Sequence, residues 1–275
     1  MDWSRIKNIF IIAFLILDIF LLFWLKEKQD SENFPLMTEA TFEEKLEAAD
    51  IVVENLPTDV GKNQFLINAT AKKFSEEELN LLTMKNQDVE VKDENQQVVE
   101  KDGIEIISRL EKPIQLNFEV TSDNMKPILE STVLYGDQYR FWNYNQDKRQ
   151  IIYYQTYKDF TLYNNKSGRI TFYLNEKNEI TSYVQTMFNT EFDAYGEQEI
   201  LQPMQALEIL YSNSMIKQGS TVNNIELGYY TLVQLTSQVL APTWYFQVNG
   251  EENYFVNATE EGSIIEMDDP KTITE

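Results

Sequence analysis

The sequence has no cysteine and no histidine among its 275 residues, and it has only nine glycines. Without cysteine there can be no disulfide framework, no thiolate nucleophile and no Cys-ligated metal. Without histidine the chain lacks the usual general base near neutral pH, every Ser-His-Asp arrangement and the commonest zinc ligand. A Gly-rich phosphate-binding loop and a nucleophile elbow are also missing. We therefore expect no catalytic, cofactor-binding or metal-binding residues. A hydrolase that uses a pair of carboxylates is the one catalytic alternative.

Basic residues are scarce relative to acidic ones, with 23 Lys and Arg against 45 Asp and Glu and a net charge of −22. Nucleic acids and anionic lipid are bound through clustered Lys and Arg that release counterions, and the sequence has no such cluster. We therefore expect no nucleic-acid partner. The acidic stretch "DVEVKDEN" lacks the glycine and terminal glutamate spacing of a calcium loop, so it indicates a solvated surface.

Charge is nearly absent from residues 9–25, "IFIIAFLILDIFLLFWL". As a helix these residues span about 25 Å, slightly less than the hydrocarbon core of about 30 Å. Arg5 and Lys7 before the run and Lys26 and Lys28 after it can anchor its ends at the lipid headgroups. A cleaved signal peptide is the alternative, but the apolar run is long and bulky residues follow it where cleavage needs small ones. The pattern predicts a single transmembrane helix that remains as an anchor.

The orientation of this anchor rests on a narrow difference in flanking charge. Residues 1–8 form a short tail with a positive excess, whereas the 26–36 segment mixes lysine with several acids. We predict that residues 1–8 are cytoplasmic, that 26–36 is a linker, and that the rest of the chain is extracytoplasmic. The predicted location is therefore the cell membrane, with the lipid bilayer as one partner.

Asp18 lies one residue from the midpoint of this apolar segment. A charged Asp at a helix centre costs about 2.5–3.5 kcal/mol on insertion scales. Either the acid is a tolerated, protonated passenger, or its carboxyl forms hydrogen bonds with another helix across an interface. For the second hypothesis, the interaction face comprises Asp18 and the residues one or two turns away: Ile11, Phe14, Leu15, Leu21, Leu22 and Leu25.

The rest of the chain predicts an α+β fold, with helices packed on antiparallel sheets. Thr38 or Thr41, the latter with Glu44 in a capping box, is expected to cap one helix, and a capping box predicts another after Ser75. Further helices are expected at "SDNMKPILESTVL" and from Gln202. The sequence "GRITFYLNEKNEITSYVQTMF" predicts a hairpin, and four short strands follow the last helix. The polar stretch with alternating Val89 and Val91 predicts exposed strands and loops. We expect two lobes, 37–133 and 134–275.

Aromatic residues are abundant, with 15 tyrosines and 16 phenylalanines, many of them in alternating stretches after residue 139. An exposed aromatic sheet could form a platform for sugars. Aromatic residues in alternating strands are more often part of the core and of cross-strand pairs. Core packing is therefore the preferred interpretation.

Several stretches resemble those of the YycI (WalI) family of low-GC Gram-positive bacteria. They are the opening "MDWSRIKNIFIIAFLILDIFLL", then "ITFYLNEKNEITSYVQTMF", "LGYY" and "PTWYFQVNGEENYFVNATEEG". The resemblance implies a single-pass protein with an extracytoplasmic domain. It also implies that the protein acts with a YycH-like partner to regulate WalK (YycG), the sensor histidine kinase of cell-wall metabolism, through contacts between membrane helices. The last lobe also resembles PepSY-like domains.

Two non-enzymatic functions remain open from the sequence. The first is a membrane-anchored regulator whose helix packs against the kinase and the partner protein. The second is an anchored extracellular module that binds a cell-wall polymer or peptide.

Overall fold

Five helices and fifteen strands form in the described part of the chain. The structure is a computed structural model, and it describes residues 14–22, 41–58, 60–189, 193–231, 237–259 and 262–265. The first helix, α1, is described over residues 14–22. The other helices are α2 (Phe42–Ala48), α3 (Glu76–Met84), α4 (Ser122–Thr132) and α5 (Pro203–Ser212), and a 3-10 turn covers Gly136–Gln138. The chain divides into two compact units, Met1–Asp50 and Ile51–Glu275.

The helices begin where the sequence supplies a cap. Thr41 and Ser75 each accept a hydrogen bond from a backbone N–H three residues later, and a glutamate side chain accepts one from the capping residue in return. These reciprocal bonds satisfy N–H groups that the first turn of a helix leaves unpaired. Pro203 occupies the first turn of α5, where its missing N–H costs nothing. Of the two candidate caps Thr38 and Thr41, Thr41 caps α2, and the predicted starts after Ser75 and near Gln202 are confirmed.

The strands of the second unit join into one large, mostly antiparallel sheet. The strands are β1 (Val52–Val53), β2 (Asn63–Thr70), β3 (Gln87–Lys92), β4 (Val98–Val99), β5 (Glu105–Gln115), β6 (Tyr139–Asn145), β7 (Gln150–Tyr157), β8 (Phe160–Tyr163), β9 (Arg169–Leu174), β10 (Glu179–Thr186), β11 (Asp193–Glu199), β12 (Thr221–Thr231), β13 (Ser237–Val248), β14 (Glu252–Asn257) and β15 (Ile264–Ile265). The main path of the sheet runs β11-β2-β13-β12-β8-β7-β9-β10-β5-β3-β4. Strand β7 connects two halves of this path: residues 150–154 pair with β9, and residues 156–157 pair with β8.

The main hydrophobic core lies under β3, β5, β7, β9 and β10 and is covered by α3 and α4. Leu79 and Leu82 of α3 enter it, and so do Met125 and Leu129 of α4. The predicted β9–β10 hairpin is confirmed. Its inward residues share one face because side chains alternate along a strand: Ile170, Phe172, Leu174 and Ile180 are all buried.

The α+β class is confirmed, but one local prediction is wrong. Val91 is buried at 3% exposure and Val89 packs against the main core, so β3 is not an exposed strand. The physical reason is packing: Val89 and Val91 lie on the same face of β3, and that face contacts the main core, which α3 and α4 cover. Residues 197–199, just before the predicted helix start at Gln202, belong to β11.

The finer predictions about domain organisation remain predictions. These are the transmembrane span, the PepSY-like lobe and the division near residue 134. Strands from before and after that residue pair with each other, because β5 lies beside β10 and β2 lies beside β13.

Candidate functional site

The predicted interaction face falls on α1. Phe14, Leu15, Asp18, Leu21 and Leu22 lie in one continuous helix, and all five are exposed. Spacings of three and four residues place them along one side of that helix. The remaining two predicted members, Ile11 and Leu25, lie outside the described residues.

This face combines a large apolar surface with one carboxyl group. Phe14 and Leu22 are each 65% exposed, and Asp18 lies between them along the helix. A neighbouring helix could bury the apolar side chains, and the carboxyl could form hydrogen bonds with it. The arrangement can therefore recognise another helix that offers a polar partner near its middle.

Within the described residues, no helix combines the length and the apolar character that membrane crossing requires. The predicted 9–25 segment extends past α1 on both sides, and its residues 9–13 and 23–25 lie outside the described ranges.

The aromatic strands pack mainly into the interior. Trp142 of β6 is half-buried, and its ring centroid lies 5.1 Å from that of Tyr245 and 5.7 Å from that of Tyr163. Tyr163, Tyr245 and Phe255 are buried. Tilted and edge-to-face ring pairs of this kind add to the stability gained from burial alone. The structure confirms core packing as the main use of these residues.

A polar cluster that the sequence did not reveal forms around Tyr135. Its hydroxyl donates a hydrogen bond to Oε1 of Glu78, and Nζ of Lys72 lies 3.1 Å from the same oxygen. Nζ of Lys72 also lies 5.4 Å from the centroid of the Tyr135 ring. The three residues come from the loop after β2, from α3 and from the turn after α4. The cluster therefore joins three segments of the second unit at its surface.

Tyr135 adopts a backbone conformation that is unusual for a bulky residue, with φ at 54°. Gly136 follows it, and a Cβ there would lie only 2.8 Å from the carbonyl oxygen of Leu129. The close approach at Gly136 explains why glycine is required there. In the sequence, the "YG" pair after α4 indicates a turn. It does not reveal that Tyr135 bonds to Glu78, which is 57 positions away.

The electrostatics of this cluster follow from its contacts. Burial raises the pKa of Glu78, but hydrogen bonds from Tyr135, the Ser75 backbone and Lys72 outweigh burial, so the pKa lies below its usual value. The hydrogen bond to Glu78, together with burial, raises the pKa of Tyr135 to about 12. Both groups are therefore held in their ordinary charge states at neutral pH.

The part of the chain that the structure describes contains no candidate metal site. No group of three or more acidic side chains there is placed to hold a metal ion.

Comparisons with known proteins place the chain in a family. Two similar solved structures are an uncharacterised protein from Eubacterium rectale and YycH from Bacillus subtilis. The first is 11% identical with a TM-score of 0.44, and the alignment covers 78% of this chain and 89% of that one. The second is 17% identical with a TM-score of 0.41, and the alignment covers 76% of this chain and 54% of YycH, about half its length.

No curated protein matches the sequence. The family profile described as YycI protein matches residues 30–259. Because this range covers well over half of the 275 residues, the chain belongs to the YycI family.

Proposed function

We propose that this chain is a non-enzymatic, membrane-anchored regulator of the sensor histidine kinase WalK (YycG) that acts together with a YycH-like partner. Membership in the YycI family supports the pathway. In this proposal residues 9–25 cross the membrane once, with the N-terminus in the cytoplasm and residues 26–275 outside the cell. The chain changes the balance of kinase states by packing against kinase helices.

The single observation that carries the mechanism is the exposed face of α1. Four apolar side chains and Asp18 share one side of the helix, and each is exposed in this structure. A carboxyl surrounded by lipid is costly, whereas hydrogen bonds across helices in membranes contribute roughly 0.6–2 kcal/mol. The acid is therefore best accommodated where a partner helix shelters it.

Relocating the acid tests the proposal. The double variant Asp18→Ile with Ile16→Asp keeps the composition of the segment but moves the carboxyl to the opposite side of the helix. We expect co-purification of the kinase and the partner from native membranes to fall strongly, and phosphorylation of the response regulator served by WalK to change. The Asp18→Asn variant keeps hydrogen-bonding capacity and should retain most of the association.

A second experiment separates the anchor from the outer domain. Residues 9–25 are replaced by an unrelated apolar helix of equal length. A helix-based regulator loses regulation although the outer domain is intact, whereas a binder of wall polymer keeps its binding. Normal association and normal kinase output in both the relocated-acid and the replaced-helix variants would contradict the proposal.

A further inference from the structure

A cavity of about 270 Å³ lies between α4 and β6. We name it the α4–β6 groove. Lys126 and Leu129 of α4 form one wall, and three consecutive residues of β6, Tyr139, Arg140 and Phe141, form the other. Consecutive residues of a strand point to opposite faces of a sheet. The groove therefore follows the edge of β6 rather than one of its faces.

That edge of β6 is open in the described part of the chain, because β6 pairs with β7 and with no second strand there. Residue pairs along an antiparallel ladder alternate between bonded and non-bonded types. The N–H of Gln155 donates to the carbonyl of Gly168, away from its β6 partner Tyr139, so this pair is non-bonded. Two residues further on, Phe141 and Tyr153 form a pair of the same type. The backbone N–H of Phe141 therefore points out of the open edge, just before the register shift between Phe141 and Asn143.

Tyr153 adds a second unsatisfied group beside this edge. It lines the groove and is 1% exposed, and its hydroxyl is the buried side-chain group without a hydrogen-bond partner among the described residues. The ring is held edge-on by Phe141 and Phe172, with centroid distances of 5.6 and 5.9 Å. A phenylalanine could make the same ring contacts. A buried hydroxyl without a partner costs free energy, so this one indicates a missing partner.

The basic and acidic side chains at the mouth of the groove differ in whether they have partners within the protein. Nζ of Lys126 lies 4.0 Å from Glu130, and the guanidinium of Arg140 lies 3.4 Å from Glu226 while it donates to the backbone carbonyl of Asp159. Both basic groups thus have acidic or carbonyl partners within the protein. Asp137 and Asp159 also line the groove, and no ion pair within the described residues engages their carboxylates. The mouth therefore favours a positively charged ligand group.

We propose that the α4–β6 groove binds an extended peptide segment with a basic side chain, which adds to β6 as a further strand and offers a hydrogen-bonding side chain to Tyr153. Backbone groups at an open strand edge match those of another strand, and side-chain pockets beside the edge then select the sequence. A peptide uses all three features: the edge at Phe141, the hydroxyl of Tyr153 and the acidic mouth. A sugar would leave the strand edge without a matching partner.

The direct test uses the full-length chain in detergent micelles and a library of blocked octapeptides with alternating Val or Thr and randomised Lys, Ser or Asn positions. We expect members of the library to bind and to slow amide hydrogen exchange at Phe141. Each selected peptide is compared with a copy methylated at single backbone nitrogens. Methylation of an amide that faces β6 should weaken binding at least tenfold, because it removes a donor from the added strand.

Variants of the protein locate the site. Phe141→Pro removes the outward N–H of β6 but not its bonds to β7, and Tyr153→Phe removes only the hydroxyl. Both should weaken binding about tenfold or more. Tyr183→Phe is the matched control, because it removes a buried hydroxyl that does not line the groove, and it should bind the peptides normally. If Phe141→Pro does not fold, the methylated peptides on the unaltered chain still decide the question.

Several results would overturn the proposal. One is the absence of binding by any library member at millimolar concentration. Another is binding that is indifferent to both methylation and Tyr153→Phe. Chitotetraose serves as a sugar probe, and protection of Phe141 by chitotetraose without protection by any peptide would assign the groove to another class of ligand. If no peptide bound and an experimental structure showed one water molecule hydrogen-bonded to the Tyr153 hydroxyl, the missing partner of that hydroxyl would be solvent.

Discussion

The hydroxyl of Tyr183 donates a hydrogen bond of 2.9 Å to Oε1 of Gln87, although the two residues are 96 positions apart. The same oxygen accepts a bond of 2.7 Å from the Ser108 hydroxyl, and Nε2 of Gln87 donates to the carbonyl of Thr132. Gln87, Ser108 and Tyr183 are all buried. This one amide therefore joins β3, β5 and β10 to the end of α4, inside the main core.

Replacing Gln87 by leucine should lower the free energy of unfolding by about 3 kcal/mol. The change leaves two hydroxyls and one carbonyl buried without partners, and each such group costs roughly 1–3 kcal/mol. Tyr183→Phe removes only one of these bonds and should cost about 1 kcal/mol. Urea unfolding of the full chain measures both values. Equal stability of the two variants and the parent would show that the network contributes nothing.

Tyr153→Phe should behave in the opposite way. Its hydroxyl has no partner among the described residues, so removing it should leave the free energy of unfolding unchanged or raise it by up to about 1 kcal/mol. The matched comparison is Tyr183→Phe, which removes a hydroxyl of equal burial that does have a partner. A loss of stability in Tyr153→Phe as large as that in Tyr183→Phe would mean that the Tyr153 hydroxyl is satisfied in solution.

The Glu78 carboxylate should make stability depend on acid pH. Its folded pKa is lower than the usual 4.5, so the folded state favours the ionised form. The stabilisation is present above pH 4.5 and is lost as pH falls through the folded pKa. Denaturation curves from pH 3 to 6 should show a steeper loss for the parent than for Glu78→Gln. Parallel curves for the two proteins would count against this assignment.

Tyr135 should produce the corresponding effect at alkaline pH. Its folded pKa is about 12 against a usual 10, so the folded state favours the neutral hydroxyl. The stabilisation is complete below pH 10 and is lost as pH rises toward about 12. In Tyr135→Phe this alkaline component should disappear. Monitoring the Tyr135 absorbance change by difference against that variant gives an independent value for the pKa.

Gly228 of β12 should not tolerate a side chain. A Cβ there would lie 2.5 Å from the carbonyl oxygen of Thr161 and 2.3 Å from the ring of Tyr163, both in the paired strand β8. Gly228→Ala should therefore lower the free energy of unfolding by about 1–3 kcal/mol through overpacking. Gly61→Ala is a suitable control, because its nearest neighbour would lie at 3.8 Å. Equal thermal midpoints for the two variants would contradict the prediction.

Local features of the fold were predictable from the sequence because their causes are local. The caps at Thr41 and Ser75 each involve a partner three residues away, and the hairpin around residues 175–178 follows from alternation on both sides of a turn. Val91 was mispredicted because its burial comes from the main core packed against one face of β3 and not from its own neighbours in sequence. The cluster at Tyr135 and the groove at Phe141 depend on residues far apart in the chain, so no short motif could reveal either one.

The sequence by itself determined the α+β class, the starts of α3 and α5 and the inward face of the β9–β10 hairpin, since period and capping chemistry act over a few residues. Its resemblance to the YycI family lay in the quoted stretches themselves. Only the tertiary structure decided that the Gln87 amide forms hydrogen bonds that join four elements. It also decided that the Tyr153 hydroxyl is buried without a hydrogen-bond partner and that one edge of β6 remains open among the described residues. The physical reason is that the environment of a side chain is set by whichever strands and helices pack against it. In a sheet assembled from distant segments, those neighbours are specified by pairings across the whole chain.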